Sequence, residues 1–457
     1  MKLVKNIEMF KTLSFIIITL AFSIVCYLIN LSFIQNVAVT IFVAKTAATL
    51  LFWKFRVAFA LIGLAILFAT GCLDVEHFIE FSSLDVVIFL VGMMIIIGYL
   101  EEHGFFEYIL NVLVRFSRGK PTRIYLTLMF SSFLFAAIVD EVTSILFITA
   151  IVLRVALASN LSPIPLMLMT VFATNIGSSA TVVGNPIGVM VALRGNFSFI
   201  DFLYWSTPVA ILSLLLTIAI CSRYYREYLN SLKFEESETL SESNSREKQT
   251  LNFAIFAITL LILVLHSPIE HLLHLEKGIM LIVTSLFMAG LILLMETEKA
   301  KNIVVERVDW WTLLFFIALF ASVGTLKYVG IIDILIEGFL KTGLKNFEFY
   351  LFFTYIGGFL TAVMDNVLAV ATLIPIVEGF KKAGLNVLPY WWSMLYSGTY
   401  MGNLTPIGST ANIIAIGIVE RTHKVSFKEW LKVGSIVSIP TLLIASAITY
   451  LRALYFV

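Results

Sequence analysis

"FAAIVDEVTSILFITAI" (residues 135–151) and "ATNIGSSATVVGNPIGVMVA" (173–192) decide how this chain is read. They return as "LTAVMDNVLAVATLIPI" (360–376) and "GTYMGNLTPIGSTANIIAIG" (398–417). In each copy, Asp-Glu or Asp-Asn interrupts apolar sequence, and a Gly/Ser/Thr/Asn-rich stretch follows about forty residues later. Ionisable groups inside an apolar span are costly, which makes them functional candidates by default. The two copies read as halves of one transport site.

Composition sets the surroundings of that site. The chain has 457 residues, 60% hydrophobic and 13% charged, with a mean hydropathy of +0.97. A soluble domain carries about 25% charged residues. Apolar runs of about 20 residues recur from end to end, enough for a hydrocarbon core of roughly 30 Å. The class is an all-α polytopic membrane protein, since the short alternating segments of a β-barrel do not occur. A net charge of +1 gives no case for nucleic acid. Cys26, Cys72 and Cys221 are scattered in apolar sequence with no Cys-x-x-Cys pair, and read as buried thiols. His271 and His274 are spaced for a metal pair but fall in a loop, and are not taken as one. With no phosphate-cradling glycine loop and no Ser/His/Asp set, neither an ATP-driven pump nor any other enzyme is expected.

In chain order, residues 1–35 read as a retained membrane helix. A first repeat spans 36–222, with a hairpin at 124–158 and a broken helix at 164–194. The polar stretch 223–250 reads as a solvated cytoplasmic linker. The second repeat spans 251–457, with a hairpin at 347–382 and a broken helix at 390–420. The apolar stretch 124–158 is too short for two full spans and a turn, which suggests a re-entrant hairpin with its tip at "VDEVT". Lys45 is expected to snorkel or to face protein, and Trp310, Trp311, Trp391 and Trp392 read as an aromatic belt.

The repeat survives residue by residue. Gly98 and Gly104 match Gly324 and Gly330 at an offset of 226, and Asp140 matches Asp365 at 225. Thr181 and Gly184 match Thr405 and Gly408 at 224, and "FSFIDFL" matches "VSFKEWL" at 228. Charge reverses between the copies. "RFSRGKPTR" (115–123) is strongly basic where "KTGLKNFE" (341–348) is not. The loop 74–83 has no Lys or Arg, where "ETEKAKNIVVER" (296–307) has Lys299, Lys301 and Arg307. Under the positive-inside rule the repeats therefore have inverted topology. About eleven transmembrane helices plus two re-entrant hairpins follow, in a cell membrane. The N-terminus, the linker and "ERTHK" (420–424) are cytoplasmic, and the C-terminus is outside.

A helix interrupted inside a membrane frees N–H groups on one side of the break and carbonyls on the other, and the carbonyls suit Na⁺. Asn175, Ser178, Ser179, Thr181, Gly184 and Asn185 supply hard oxygens and flexible backbone in the first copy. Asn403, Thr405, Gly408, Ser409, Thr410 and Asn412 supply them in the second. Pro186 and Pro406 help to hold the breaks open. Asp140, Glu141 and Asp365 can hold a proton when neutral or a cation when ionised, with Na⁺ placed at Asp140 and Asp365, and Thr143 and Asn366 completing the shell. No cofactor is expected beyond Na⁺ or H⁺ as coupling ions. The partners expected are membrane lipid and a small inorganic ion or small anion.

With these residues in view, the chain resembles the ion transporter superfamily of arsenite permeases, NhaD-type sodium/proton antiporters and divalent-anion/sodium symporters, which share a citrate-transporter-like domain. The likeness rests on the hairpin tips Asp140-Glu141-Val142 and Asp365-Asn366-Val367 and on the two breaks, and runs from about residue 36 onward. It implies a homodimer with a fixed scaffold domain and a moving transport domain that works as an elevator. The carboxylate symporters have Ser-Asn-Thr at the tips, where acids repel a di- or tricarboxylate. The tips here suit Na⁺/H⁺ exchange or movement of neutral arsenous acid with protons. Glu141 also departs from the Asn usual in the antiporter and arsenite branches. The expected function is a secondary active transporter with cation/proton exchange. The alternatives are an arsenite or other oxyanion permease, or a sodium-coupled anion symporter.

Overall fold

A computed structural model describes residues 2–115, 120–232, 246–296, 298–344 and 346–455. Helices follow one another throughout, and no strand occurs among the described residues. Eight helices are long and apolar enough to cross a membrane, or up to ten when each of two bent pairs counts as one span. That range includes both arms of the first hairpin and, at its upper end, Pro186–Gly195 as part of a bent pair, but leaves out the short helices Ile164–Gly177 and Thr410–Val419 at the breaks. Ile164–Gly177, for example, has 14 residues, about 21 Å of helix at 1.5 Å per residue.

The caps follow from the local sequence. Ser32 and Gln35 form a reciprocal capping box at the start of Phe33–Leu51. Ser198 and Asp201 do the same for Phe199–Trp205. Asp74 accepts from the backbone N–H of His77 at 2.8 Å, so the loop expected at 74–83 contains the short helix Val75–Phe81. Of the basic stretch 115–123, residues 116–119 lie outside the described residues. So do 233–245 of the linker expected at 223–250, and the described part of that segment is partly helical, as Arg226–Asn230 and from Arg246 onward.

The chain forms two compact units that cut across the sequence repeats. One comprises Met1–Ile88, Asp309–Phe349 and Ala371–Val387. In it, Trp310–Tyr328 packs on Phe33–Leu51, Arg56–Ala69 and Val75–Phe81. Lys45 faces protein: it is 6% exposed, donates to the Ala318 carbonyl at 2.8 Å and also bonds the Ser322 hydroxyl. Gly63 leaves room for its stem, because a Cβ there would stand 2.7 Å from Lys45 Cδ.

The other unit comprises Phe89–Val308, Tyr350–Val370 and Leu388–Val457. Its core is built on the first halves of the two broken spans. In Ile164–Gly177 every residue from Leu166 onward is buried, and in Leu388–Tyr400 every residue from Pro389 onward. A helix that is apolar all round belongs in an interior. Pro121–Ile138 and Glu141–Ala158, the arms of the first hairpin, both pack on Ile164–Gly177, and the second arm also meets Thr410–Val419. Trp391 and Trp392 correct the sequence reading. They are 5% and 0% exposed and pack on Phe197, Phe202 and Trp205 instead of forming an aromatic belt. Trp310 and Trp311 remain exposed.

Candidate functional site

All seventeen residues singled out above fall within this second unit, where the two copies repeat one frame. At the first tip the chain extends through Asp140, and Oδ1 accepts from the N–H groups of Val142 and Thr143, both at 2.8 Å. The Thr143 hydroxyl also approaches this carboxylate. At the second tip, Asp365 Oδ1 accepts from Val367 N at 3.0 Å and Leu368 N at 3.3 Å. Each aspartate therefore caps the arm that follows it, where a negative charge is favoured by the helix dipole. Each tip is also pinned to its break. Thr181 donates to the Ala137 carbonyl, and Thr405 to the Ala362 carbonyl at 2.6 Å. Both carbonyls lie three residues before the tip aspartate.

The breaks are short 3₁₀ turns, Val182–Gly184 and Met401–Leu404, followed by the helices Pro186–Gly195 and Thr410–Val419. Asn185 Oδ1 caps the first of these helices by accepting from Gly188 N at 2.8 Å, and Ser409 Oγ caps the second by accepting from Ala411 N at 3.1 Å. Two glycines are sterically required. A Cβ at Gly184 would run into the carbonyls of Ser178 and Ala136, and one at Gly408 into the Gly402 backbone. Ser178 donates to the Asn175 carbonyl at 3.0 Å and accepts from Asn185 Nδ2 at 2.8 Å. Ser179 donates to the Ile176 carbonyl at 2.8 Å.

Amides tie the copies together. Asn175 donates to Asn403 Oδ1 at 2.7 Å and to Asn412 Oδ1 at 2.8 Å, and its own Oδ1 accepts from Ser409 at 2.9 Å. Asn412 then donates to the carbonyls of Gly402 and Thr405 at 2.7 and 2.9 Å. These four side chains are engaged by protein, so their first role is to hold the breaks together. Thr410 opens the last of these helices and is half-buried.

Glu141 stands apart. It is 3% exposed. Its Oε1 is 3.5 Å from Asn366 Nδ2, the outer limit of a hydrogen bond, and its buried Oε2 has no partner among the described residues. The carboxylates of Asp365 and Asp140 and the Ser178 hydroxyl lie close enough to act on it electrostatically. No group of three or more His, Cys, Asp or Glu side chains converges as a metal site among the described residues. A cation here would draw on Ser, Thr, Asn and backbone oxygens as well as carboxylate, a donor set that suits a hard ion.

Sequence reasoning missed a second cluster. Arg307, at the end of the π-helical turn Ile303–Arg307, reaches Glu101 at 3.3 Å and Glu102 at 3.4 Å. Asp140 and Glu107 both act electrostatically on Glu101. Arg154, further along the second arm of the first hairpin, is exposed. The available signal was the pairing of "EEHGFFE" with Gly98, where a Cβ would collide with the Arg307 side chain.

A family model described as "Citrate transporter" matches residues 47–397. The uncharacterized transporter Rv2684 of Mycobacterium tuberculosis (strain ATCC 25618 / H37Rv) is 31% identical over 436 residues, covering 92% of this chain and 99% of that protein. The human P protein is 23% identical over 444 residues, covering 79% of this chain and 52% of that protein. Among solved structures, the Alcanivorax borkumensis YdaH transporter, described as having an unusual topology, matches with a TM-score of 0.61 at 18% identity, over 86% of this chain and 89% of that one. At that identity the likeness is one of fold.

Proposed function

Since this chain belongs to the citrate transporter family and is a membrane transporter, we propose that it is a secondary transporter exchanging protons for a small cation, with Na⁺ the leading candidate and the Glu141 carboxyl as the exchanging group. One observation carries the reading: Glu141 is buried with an oxygen that no described protein group satisfies. A bare carboxylate in such a place is expensive, so the group holds a proton or a cation. Asp140 and Asp365 each use Oδ1 to cap a helix, and both carboxylates lie close enough to Glu141 to act on it. The four helix starts around the site are already capped by Asp140, Asp365, Asn185 and Ser409. Two of those caps are acids, a setting that repels a free anion. Elevator movement, with inverted repeats in a homodimer, fits a unit that contains the whole site by itself.

Proteoliposomes carrying a proton gradient test this directly. Addition of Na⁺ or Li⁺ is expected to dissipate the gradient, and Glu141→Gln to abolish the response. No proton movement with any alkali cation would sink the exchange reading. The family's description favours a second reading, citrate transport, in which a cation must accompany the tricarboxylate past the tip acids. Uptake of labelled citrate without ion-driven proton movement would select it. Raised arsenite tolerance in a sensitive host would select oxyanion export instead.

A further inference from the structure

A cavity lies within the same unit, away from the tips, where the end of the first hairpin meets the end of the second broken span. Its volume is about 630 Å³, and it is walled by Leu153, Ala156, Leu157, Leu161, Pro163 and Ile418. Its polar rim is formed by Asn160, Ser162, Arg421, Thr422 and His423. Tyr228 braces the rim by donating to the Ser162 carbonyl at 2.6 Å. Arg421 is exposed, and its guanidinium pairs with no other described residue. The neighbouring Glu420 does not line the cavity and makes no ion pair with it among the described residues. His423 bonds only Thr422, at 2.9 Å, among the described residues, and Lys424 and Arg154 add exposed positive charge nearby in sequence.

We propose that this cavity is a site for an anionic phospholipid, with the phosphate held by Arg421 and one acyl chain lying along Leu153, Leu157 and Ile418. Three features select that occupant. The volume falls in the range of roughly 300–1,000 Å³ typical of small-molecule sites, too small for a partner helix. The wall is aliphatic with no aromatic ring among its residues, which suits a flexible saturated chain more than a planar ligand. The charge is positive and concentrated at one end, as a lipid headgroup requires, and "ERTHK" falls on the cytoplasmic face by the positive-inside rule, beside the anionic leaflet. The site adjoins the second arm of the first hairpin, whose other end begins at Glu141. Lipid occupancy therefore bears on the arm that carries the exchange group, although the site stands independently of what the protein transports.

The test uses the full chain, delipidated in detergent and studied by thermal unfolding and native mass spectrometry. Dioleoyl phosphatidylglycerol, dioleoyl phosphatidylcholine and inorganic phosphate are titrated separately. Phosphatidylglycerol is expected to raise the unfolding temperature with concentration and to stay bound in the gas phase, while the other two do neither. Arg421→Gln is expected to weaken phosphatidylglycerol about fivefold, the scale of one basic residue at a membrane surface. Leu157→Trp fills the wall from an exposed position and is expected to displace the chain with Arg421 intact. Equal binding of phosphatidylcholine, stabilisation by phosphate alone, or unchanged affinity in both variants would each overturn the proposal.

Discussion

The two hairpin-and-break assemblies share a frame and differ in what the frame holds. Each tip aspartate caps its second arm, and each break threonine donates to the carbonyl three residues upstream of that aspartate. At the next position the copies part. The first has Glu141, with an unsatisfied oxygen, and the second has Asn366, which can donate to it but carries no charge. The amide that joins the breaks is also one-sided. At the 224 offset the counterpart of Asn175 is Thr399, whose hydroxyl bonds back only to Leu395 and Tyr396 of its own helix among the described residues. The shared frame, then, is what the two copies have in common, and the differences within it place one protonatable group and one amide lock at the junction.

The largest expected effect comes from removing the charge difference. Glu141→Gln should reduce ion-driven proton movement to the level of empty liposomes while the protein still folds, because the isostere keeps the contact with Asn366. The reciprocal pair sharpens the comparison. With both tips facing one point, Glu141→Asn combined with Asn366→Glu should recover measurable exchange that Glu141→Asn alone lacks. Recovery no better than the single variant would show that the two sides of the junction are not equivalent.

Second in size is the amide lock. Asn175→Ala leaves polar groups of Asn403, Asn412 and Ser409 without that partner, at about 1–3 kcal/mol for each buried group. These groups share a network, so the losses will not add, and a total of about 3 kcal/mol is expected. Thr399→Ala, the same position in the other copy, gives up one local helix bond worth about 1 kcal/mol. Thermal unfolding of the two variants side by side measures the difference. Equal shifts would show that the lock stabilises nothing.

These contrasts mark how far sequence could be read. An Asp-Glu pair in an apolar run can be recognised by its cost alone, and Gly/Ser/Thr/Asn breaks by their composition, so the helix starts at the two tips and the interruptions at the two breaks were legible. Which acid is a cap and which keeps an unsatisfied oxygen was not, because capping depends on the extended backbone at Asp140 and on where Val142 and Thr143 point their N–H groups. Nor was the place of Arg307, counted from sequence only as loop charge, since a π turn carries it back onto Glu101 and Glu102. Trp391 and Trp392 misled for the same reason. A tryptophan at a helix start is a belt residue only if that helix start meets lipid, and this one is packed under Phe197 and Phe202.

Next come the two anchors that the copies share. Thr181→Val and Thr405→Val keep shape and remove one hydrogen bond each, leaving the Ala137 or Ala362 carbonyl without its threonine. About 1 kcal/mol is expected for each. The anchors hold different tips, so the double variant should lose about the sum. A double variant markedly less stable than the sum would mean that the tips support one another through the Glu141–Asn366 contact, and the frame would then be a single cooperative piece.

The smallest effect tests whether the copies diverge where nothing constrains them. Gly417 lies inside the helix Thr410–Val419, is exposed, and has no atom within 4 Å of where a Cβ would stand. At the 224 offset its counterpart is Leu193, so the frame already tolerates a large side chain there in the other copy. Gly417→Ala should therefore raise stability by about 0.5–1 kcal/mol through the lower entropy of the unfolded chain. Transport should be unchanged, because the position touches neither tip nor break. A loss of transport with a gain in stability would mean that this half-helix has to bend during the cycle. The glycine would then belong to the moving parts of the second copy, and its absence from the first would be a further asymmetry of function.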